Sequence, residues 1–293
     1  MKYGVYLPNF GPFSNARTLA TCAKQAEDAG WDGFFIWDHV ARPVRLPIID
    51  PWIGLSAVAI ATRKIQLGPM VTPIARRRPW KLARETVSLD HLSNGRLIFG
   101  AGLGSSGGSA VEWSNFGEEG DLRVRARMLD EGLDILNGLW SGEPFDYHGD
   151  HFQVGESQFL PTPMQFPRIP IWIGGTLPNK APLKRAARWD GIFPIVPNQE
   201  QPLHVLVRQL METVAFIEAL REDIDSPFDV VYRGKPTSGD DLAKSAEMVA
   251  PFAAAGATWW LEDISPRRFG KGWDENWEVE RLLERVQQGP PKA

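Results

Sequence analysis

Hydrophobic positions along the chain alternate between short apolar runs and longer segments with helical spacing. Short runs rich in β-branched and aromatic residues predict strands, and apolar residues recurring with the helical period predict helices. The predicted strand and helix pairs are 2–7 with 14–29, 33–36 with 51–61, 65–71 with 80–92, 97–101 with 122–140, 171–173 with 180–188, 191–195 with 201–221, 228–233 with 240–255, and 257–261 with 277–287. This alternation is typical of parallel strands joined by helical crossovers.

The number of strand–helix units decides between two α/β architectures. Eight units favour a closed (β/α)8 TIM barrel over an open Rossmann sheet for residues 1–288. The main irregularity is segment 141–170, between the fourth helix and the fifth strand, where residues 145–154 alternate like a β-hairpin. We therefore expect a single barrel with an insertion at about 141–170, followed by a tail, 289–293, that frays.

Composition narrows the class of function. The 293 residues carry a net charge of -4, which leaves no basic surplus to bind the phosphate backbone of a nucleic acid. A small organic molecule is the expected partner. The single cysteine, Cys22, cannot form an internal disulfide and falls in an apolar helical pattern, which predicts a buried thiol. No segment has the pattern of a signal peptide or of a membrane span, which predicts a cytoplasmic protein.

Ligands of such barrels bind where strands end, and Asp38 and His39 directly follow the second predicted strand. An adjacent carboxylate and imidazole can hold a polar ring edge and move a proton near neutral pH, because an unperturbed histidine titrates at about 6.5. The same pair is also typical of a loop histidine beside an aspartate that caps a turn. The two residues alone leave both interpretations open.

The third predicted strand ends in Gly68–Pro73 and is followed by three arginines, Arg76, Arg77 and Arg78. Glycine and proline there predict either a bulge that brings the backbone toward a ligand or a simple strand exit. Three cations before a helix start are unfavourable unless they are solvated or matched by an anion. We therefore consider both a solvated cluster and a contact with the anionic tail of a cofactor.

Two glycine-rich segments follow the fourth and fifth predicted strands. The first, Gly100–Gly108, contains a G-x-G-x-x-G spacing, but no helix opens directly after it and three strand–helix units precede it, so it is not a dinucleotide fingerprint. Close approach of its backbone to a flat ligand is still expected. The second segment, Gly174–Thr176, precedes a helix carrying Lys184, Arg185 and Arg188, which predicts either a phosphate site or an ordinary glycine turn beside a basic helix face.

Other reaction classes lack their motifs. The five histidines form no H-x-H or H-E-x-x-H pattern, so no metal site is expected. The G-x-S-x-G turn of a serine hydrolase is also absent from the sequence. The candidate chemistry is therefore confined to the strand ends described above.

Several of these segments, in their order along the chain, resemble the bacterial-luciferase-like superfamily. This superfamily includes FMN-dependent monooxygenases and reductases or dehydrogenases that use the deazaflavin coenzyme F-420. The segments that carry the resemblance are 4–8, 26–33 with 37–39, 67–73, 83–96, 100–104, 169–175 and 186–191. Beyond residue 195 the resemblance is faint.

The resemblance implies a barrel with an insertion, a cofactor ring at the carboxyl ends of the strands, and a non-proline cis peptide in a bulge between Met70 and Pro73. It implies catalytic roles for His39 and Asp38. The cofactor-binding residues that it implies are Asp38, Met70, Val71, Thr72, Leu103, Gly104, Gly174 and Gly175. One position departs from the pattern: Ser105 stands where the sugar-phosphate dehydrogenases of the F-420 branch have a catalytic glutamate.

Three functions are compatible with this pattern. The first is hydride transfer between coenzyme F-420 and an organic substrate, with His39 as proton donor or acceptor. The second is an FMN-dependent monooxygenase that uses O₂ and reduced flavin from a partner flavin reductase. The third is a cofactor-binding barrel without turnover. No nucleic-acid or membrane partner is expected, and a homodimer is compatible with the sequence.

Overall fold

The computed structural model describes residues 1–105 and 111–292. Its strands are β1 (Lys2–Leu7), β2 (Gly33–Ile36), β3 (Gln66–Pro69), β4 (Thr72–Pro73), β5 (Phe99–Gly102), β6 (Phe145–His148), β7 (Gln153–Ser157), β8 (Ile171–Thr176), β9 (Gly191–Ile195), β10 (Asp229–Tyr232) and β11 (Trp259–Asp263). Its α-helices are α1 (Ala16–Asp28), α2 (Pro51–Ala61), α3 (Pro79–Ser93), α4 (Val111–Ser114), α5 (Leu122–Trp140), α6 (Lys180–Ala186), α7 (Leu203–Glu218), α8 (Leu242–Ala254) and α9 (Val279–Gln287). Strands and helices therefore alternate as the periodicity predicts.

In the part of the chain that is described, nine strands form one parallel sheet in the order β3-β2-β1-β11-β10-β9-β8-β5-β4. The sheet curls so that its two ends meet: the Leu67 amide donates to Arg96 O at 3.1 Å, and the Ile98 amide donates to Leu67 O at 2.9 Å. β3 and β4 together make one barrel strand, interrupted by a cis peptide between Met70 and Val71. The expected barrel is thus confirmed, as is the expected cis peptide on its third strand.

The interior of the barrel is packed with large side chains. Phe35, Trp172 and Trp259 contact one another with ring centroids 5.3–5.6 Å apart. They belong to a buried cluster made of Tyr6, Phe35, Met70, Ile98, Trp172, Phe193, Val231, Trp259 and Leu261. Because the barrel is filled from within, as is usual for this architecture, a ligand site has to lie at the ends of the strands.

The insertion lies where the alternation of residues 145–154 predicts it. β6 and β7 form a separate two-stranded antiparallel sheet between α5 and β8. Near the end of the chain the structure differs from the expected frayed tail, because residues 289–291 are buried. The buried Arg285 guanidinium donates to Gly289 O at 2.6 Å, and the Lys292 ammonium donates to Gly30 O at 3.2 Å. Ala293 lies outside the described residues.

Local chemistry explains where several helices begin. Asp50 accepts hydrogen bonds from the amides of Trp52 and Ile53 at the start of α2, and Asp121 caps α5 through Arg123 and Val124. Such side-chain caps satisfy amides that have no partner within the helix. Cys22 is buried, as expected. Within the described ranges, no helix is long and apolar enough to cross a membrane.

Candidate functional site

The side chains that follow β2 and β4 meet in a buried ionic cluster at the carboxyl ends of the strands. Asp38 accepts a hydrogen bond from Thr72 Oγ1 at 2.8 Å. The two guanidinium groups of Arg76 and Arg77 also donate to its carboxylate, at 2.7 Å and 2.9 Å. Both carboxylate oxygens of Asp38 therefore have partners within the protein, and its side chain is fully buried.

His39, the next residue, has a different carboxylate partner. Its Nδ1 lies 3.1 Å and 3.2 Å from the two oxygens of Glu112, which is in α4. Glu112 also accepts from Ser105 Oγ at 2.6 Å and forms an ion pair with Arg76 at 2.9 Å. Arg76 thus bridges Asp38 and Glu112. Ser105 occupies the sequence position at which the resemblance implies a glutamate, yet a different acidic residue, Glu112, lies beside the imidazole.

The electrostatics of Glu112 fix the state of the imidazole. Burial opposes its ionised form, but the hydrogen bonds and positive charges of His39, Ser105 and Arg76 outweigh burial and lower the pKa of Glu112 to about 2. An ionised carboxylate only accepts hydrogen bonds, so the proton of this contact is on Nδ1 of His39. In the neutral imidazole the lone pair is then on Nε2, which makes no hydrogen bond with the described residues.

The main chain and the ring plane of His39 are also held in place. The buried Asn9 accepts from the His39 amide at 3.2 Å and donates to His39 O at 2.9 Å. Phe10 and Trp37 each meet the imidazole edge-on, with ring centroids 5.8 Å away. These contacts leave the imidazole 15% exposed, enough to reach a ligand at the mouth of the barrel.

Of the three arginines that follow β4, Arg76 and Arg77 are not part of a solvated cluster. Arg76 and Arg77 are 5% and 15% exposed and bind Asp38, with Arg76 also binding Glu112. The anion that the sequence requires beside these cations is therefore supplied by the protein itself. Arg78 is exposed, and its guanidinium lies over the ring of Trp80 at 5.8 Å.

In its described part, the first glycine segment is held in place by an arginine side chain of α5. Arg125 donates to the carbonyls of Leu103 and Ser105, both at 3.1 Å, and stacks on Trp113 at 3.9 Å. Gly104 has φ +78°, and a Cβ on it would lie 2.4 Å from Trp113. The remainder of this segment, residues 106–108, lies outside the described residues and includes two of its glycines, Gly107 and Gly108.

The second glycine segment packs against the protein. A Cβ on Gly174 would lie 2.9 Å from the side chain of Val71, and a Cβ on Gly102 would lie 2.5 Å from the same side chain. On Gly175 it would lie 2.2 Å from Pro182. Their lack of a side chain is therefore explained by packing, and their predicted contact with a cofactor stays a prediction.

Two of the basic residues on α6 have acidic partners on α5. Arg185 pairs with Asp130 at 2.5 Å and Arg188 with Asp134 at 3.0 Å. These pairs join two neighbouring helices on the outside of the barrel. The phosphate site suggested for this helix face would have to compete with them, whereas Lys184 is exposed.

Several buried polar atoms lie near the mouth of the barrel without a partner among the described residues. They are Trp37 Nε1, Asp263 Oδ1 and Ser265 Oγ. Because buried polar groups are normally hydrogen-bonded, such orphaned donors and acceptors fit a ligand with a polar edge. In the part of the chain that the structure describes, no group of three or more His, Cys, Asp or Glu side chains could hold a metal ion.

The sequence pointed to Asp38, His39 and Thr72, which lie in or beside the ionic cluster, but not to Asn9 or Glu112. Asn9 lies two residues after the end of β1, so its place near a strand end was a signal in the sequence. Glu112 is the one acidic residue in the run Ala110–Trp113, which is a weaker signal. The structure brings Asp38 together with Thr72, and Val71 together with Gly102 and Gly174.

Comparison with known proteins places this architecture among related chains. A family model described as "Luciferase-like monooxygenase" matches residues 1–285. An uncharacterized protein of Mycobacterium tuberculosis is 32% identical over 210 residues, which are 64% of this chain and 70% of that protein. The F-420-dependent glucose-6-phosphate dehydrogenase of Amycolatopsis mediterranei is 27% identical over 237 residues, 78% of this chain and 67% of that enzyme.

Solved structures with the same fold have different cofactors. An F-420-dependent secondary alcohol dehydrogenase in complex with an F-420–acetone adduct superposes with a TM-score of 0.76 and 17% identity, covering 99% of this chain and 98% of that one. A type II Baeyer–Villiger monooxygenase from Pseudomonas putida in complex with FMN superposes with a TM-score of 0.64 and 18% identity, covering 87% and 73%. At these identities the likeness establishes the fold alone.

Proposed function

Because the chain belongs to the luciferase-like monooxygenase family, we propose that it is an oxidoreductase that transfers hydride between the deazaflavin coenzyme F-420 and an organic substrate. The observation that carries this proposal is the contact between His39 Nδ1 and the ionised Glu112. It supports a histidine that exchanges a proton with substrate through Nε2. The F-420-dependent dehydrogenase among the relatives favours this cofactor over FMN.

The residues at the mouth of the barrel fit a flat cofactor ring with a polar edge. The backbone at Met70–Val71 and the turn at Leu103–Gly104 would lie against the ring. The orphaned atoms of Trp37, Asp263 and Ser265 would hydrogen-bond to its polar edge. Thr72, Gly174 and Gly175 remain proposed cofactor contacts.

When bound, the deazaflavin would donate or accept a hydride, and the protein would handle the accompanying proton. His39 Nε2 would give a proton to, or take it from, the oxygen of the substrate. Glu112 would stabilise the positively charged imidazolium, since its pKa of about 2 keeps it ionised at neutral pH. A buried carboxylate that orients histidine through Nδ1 is a common arrangement for such proton transfer.

The proposed role of Asp38 differs from that of His39. Because Thr72, Arg76 and Arg77 occupy both of its oxygens, Asp38 has no free lone-pair direction for a substrate proton in this arrangement. It would act as a positioning residue that holds Arg76 against Glu112. A contact between Asp38 and the cofactor is retained as a proposal.

Titration of the apoprotein with F-420 and with FMN, followed by absorbance and fluorescence, tests the cofactor assignment. We expect F-420 to bind at least about tenfold more tightly than FMN, equivalent to about 1.4 kcal/mol. Reoxidation of reduced F-420 by substrate should proceed without oxygen. Equal or reversed affinities, or a strict need for O₂, would transfer the assignment to an FMN-dependent monooxygenase.

A further inference from the structure

Two guanidinium groups meet at one aromatic ring beside His39. The guanidinium carbon of Arg42, in the loop after β2, lies 5.5 Å from the ring centroid of Trp273, and that of Arg267, after β11, lies 4.9 Å from it. Arg42 also lies 5.0 Å from the ring of Phe10. Loops from distant parts of the chain thus bring two cations to the same indole.

The positive charge of Arg267 acts on the guanidinium of Arg42. Burial is the main cause that lowers the pKa of Arg42, and the charge of Arg267 lowers it further, against the opposing attraction of Glu112. Arg267 forms no ion pair or side-chain hydrogen bond with any described residue. A bound anion that reaches these groups would offset their positive charge.

The position of this pair relative to His39 is set by aromatic contacts. Trp273 lies 5.4 Å from Trp37 by ring centroids, and Trp37 lies 5.8 Å from His39. Phe10 contacts all three of these rings. Phe10 thus contacts both Arg42 and His39, so one aromatic ring lies between that guanidinium and the imidazole.

We infer that the substrate is an organic carboxylate with a compact aromatic or apolar body, whose carboxylate is bound by Arg42 and Arg267. Guanidinium groups match carboxylates in charge and in their planar, two-pronged geometry. The aromatic wall of Phe10, Trp37 and Trp273 would contact the apolar body and direct the rest of the molecule toward His39. This inference rests on the proposed function for the identity of the reaction, but not for the binding of the anion.

The same chemistry could bind the anionic tail of the cofactor instead. A phosphate or carboxylate of that tail would satisfy the two arginines equally well. The substrate is favoured because the arginines flank the aromatic residues that confine His39, the residue proposed to exchange a proton with the substrate. The experiment therefore measures the two ligands separately.

The probe is phenylacetate, compared with the neutral phenylacetamide, in titrations of both the apoprotein and the F-420-loaded protein followed by tryptophan fluorescence. We expect phenylacetate to bind the wild type more tightly than phenylacetamide. Arg267→Gln should weaken phenylacetate binding by at least about tenfold, because it removes one charge-assisted contact, and leave phenylacetamide and F-420 binding within about twofold. Arg208→Gln, an exposed arginine on α7, is the matched control and should change nothing.

Two outcomes would overturn the inference. Equal binding of phenylacetate and phenylacetamide, or of phenylacetate by wild type and Arg267→Gln, would exclude a carboxylate site at these arginines. Weakened binding of F-420 in Arg267→Gln with phenylacetate unaffected would assign the arginines to the cofactor's tail. Failure of F-420 to bind the wild type would count against the proposed function only, since the apoprotein arm measures the carboxylate independently.

Discussion

The imidazole of His39 is restrained by neighbours that each remove a different freedom. Asn9 holds its main chain, Glu112 holds the proton on Nδ1, and Phe10 and Trp37 confine the ring plane. Positioning of this kind lowers the reorganisation needed for proton transfer. Nε2 is the ring atom that remains available to a substrate.

Substitutions of His39 and of Glu112 distinguish the group that transfers the proton from the group that stabilises its charged form. His39→Ala should lower kcat by about 10²–10⁴-fold, the usual contribution of a positioned general acid or base, with F-420 affinity nearly unchanged. Glu112→Gln keeps an acceptor oxygen but loses the charge that stabilises the imidazolium. It should lower kcat by about tenfold and move the pH–rate profile to lower pH.

Both variants are measured by anaerobic reoxidation of reduced F-420, with separate determination of kcat, KM and the affinity for F-420. Glu156→Gln, at an exposed position of β7, is the control for loss of one carboxylate. Full activity of His39→Ala would remove the proposed proton transfer. An unchanged pH–rate profile in Glu112→Gln would reduce that residue to a packing role.

Single residues were predictable where their signal is local. Asp38 and His39 follow a strand directly, so the strand pattern alone places them at the mouth of the barrel. Glu112 contacts His39 across 73 positions of sequence, and Asn9 contacts His39 across 30. No local sequence pattern encodes such contacts. For Arg76 and Arg77 the sequence left a solvated cluster and a contact with an anion both open, and it did not indicate an anion supplied by the protein.

At the scale of elements, the predicted bounds agree best where a cap marks the end. Pro51–Ala61 and Leu122–Trp140 match the expected helices, and each is preceded by an aspartate that caps it. Helix α4 was not predicted, because its four residues are too few for a helical period to be visible. Periodicity predicted one continuous third strand. Its glycine and proline residues left a bulge or a simple strand exit open, and only the family resemblance predicted the cis peptide.

The interrupted third strand packs against a glycine in each of two neighbouring strands. Val71 fills the space that side chains on Gly102 of β5 and Gly174 of β8 would need. Gly102→Ala should therefore destabilise the protein by roughly 1–3 kcal/mol through overpacking. Val71→Ala should remove most of this penalty in the double variant, because it opens the space that the new methyl group requires.

The measurement is a double-mutant cycle of unfolding free energies in urea. Gly155→Ala on β7 is the control, since its added Cβ would meet nothing within 4 Å. Strictly additive effects of Gly102→Ala and Val71→Ala would show that the two positions do not share this space. A neutral Gly102→Ala would contradict the packing described here.

At the scale of the whole molecule, one buried carboxylate joins elements from the last third of the chain. Glu262 on β11 is fully buried and accepts from the Thr237 amide at 2.9 Å and from Thr237 Oγ1 at 2.8 Å. It also forms ion pairs with Arg268 and with Arg285 of α9. The loop after β10, the segment after β11 and the final helix are thereby connected through a single side chain.

Glu262→Ala should lower the free energy of unfolding by about 3–5 kcal/mol, because it leaves two buried guanidinium groups without their counter-charge. Urea unfolding of the cofactor-free protein measures the loss. Arg208→Ala, which breaks an exposed pair on α7, should cost less than about 1 kcal/mol. If Glu262→Ala lowered the free energy of unfolding by no more than Arg208→Ala does, the network would contribute little to stability.

The pairing of β1 with β11 has a consequence for the synthesis of the chain. Lys2 lies opposite Trp259, so a ribosome adds roughly 250 residues between the two strands of this pair. At about 5–20 residues per second, one edge of β1 waits on the order of 10–50 s for its partner. An unpaired strand edge is a template for association with other chains. This edge of β1 is therefore a position at which the nascent chain can associate with others before β11 has been made.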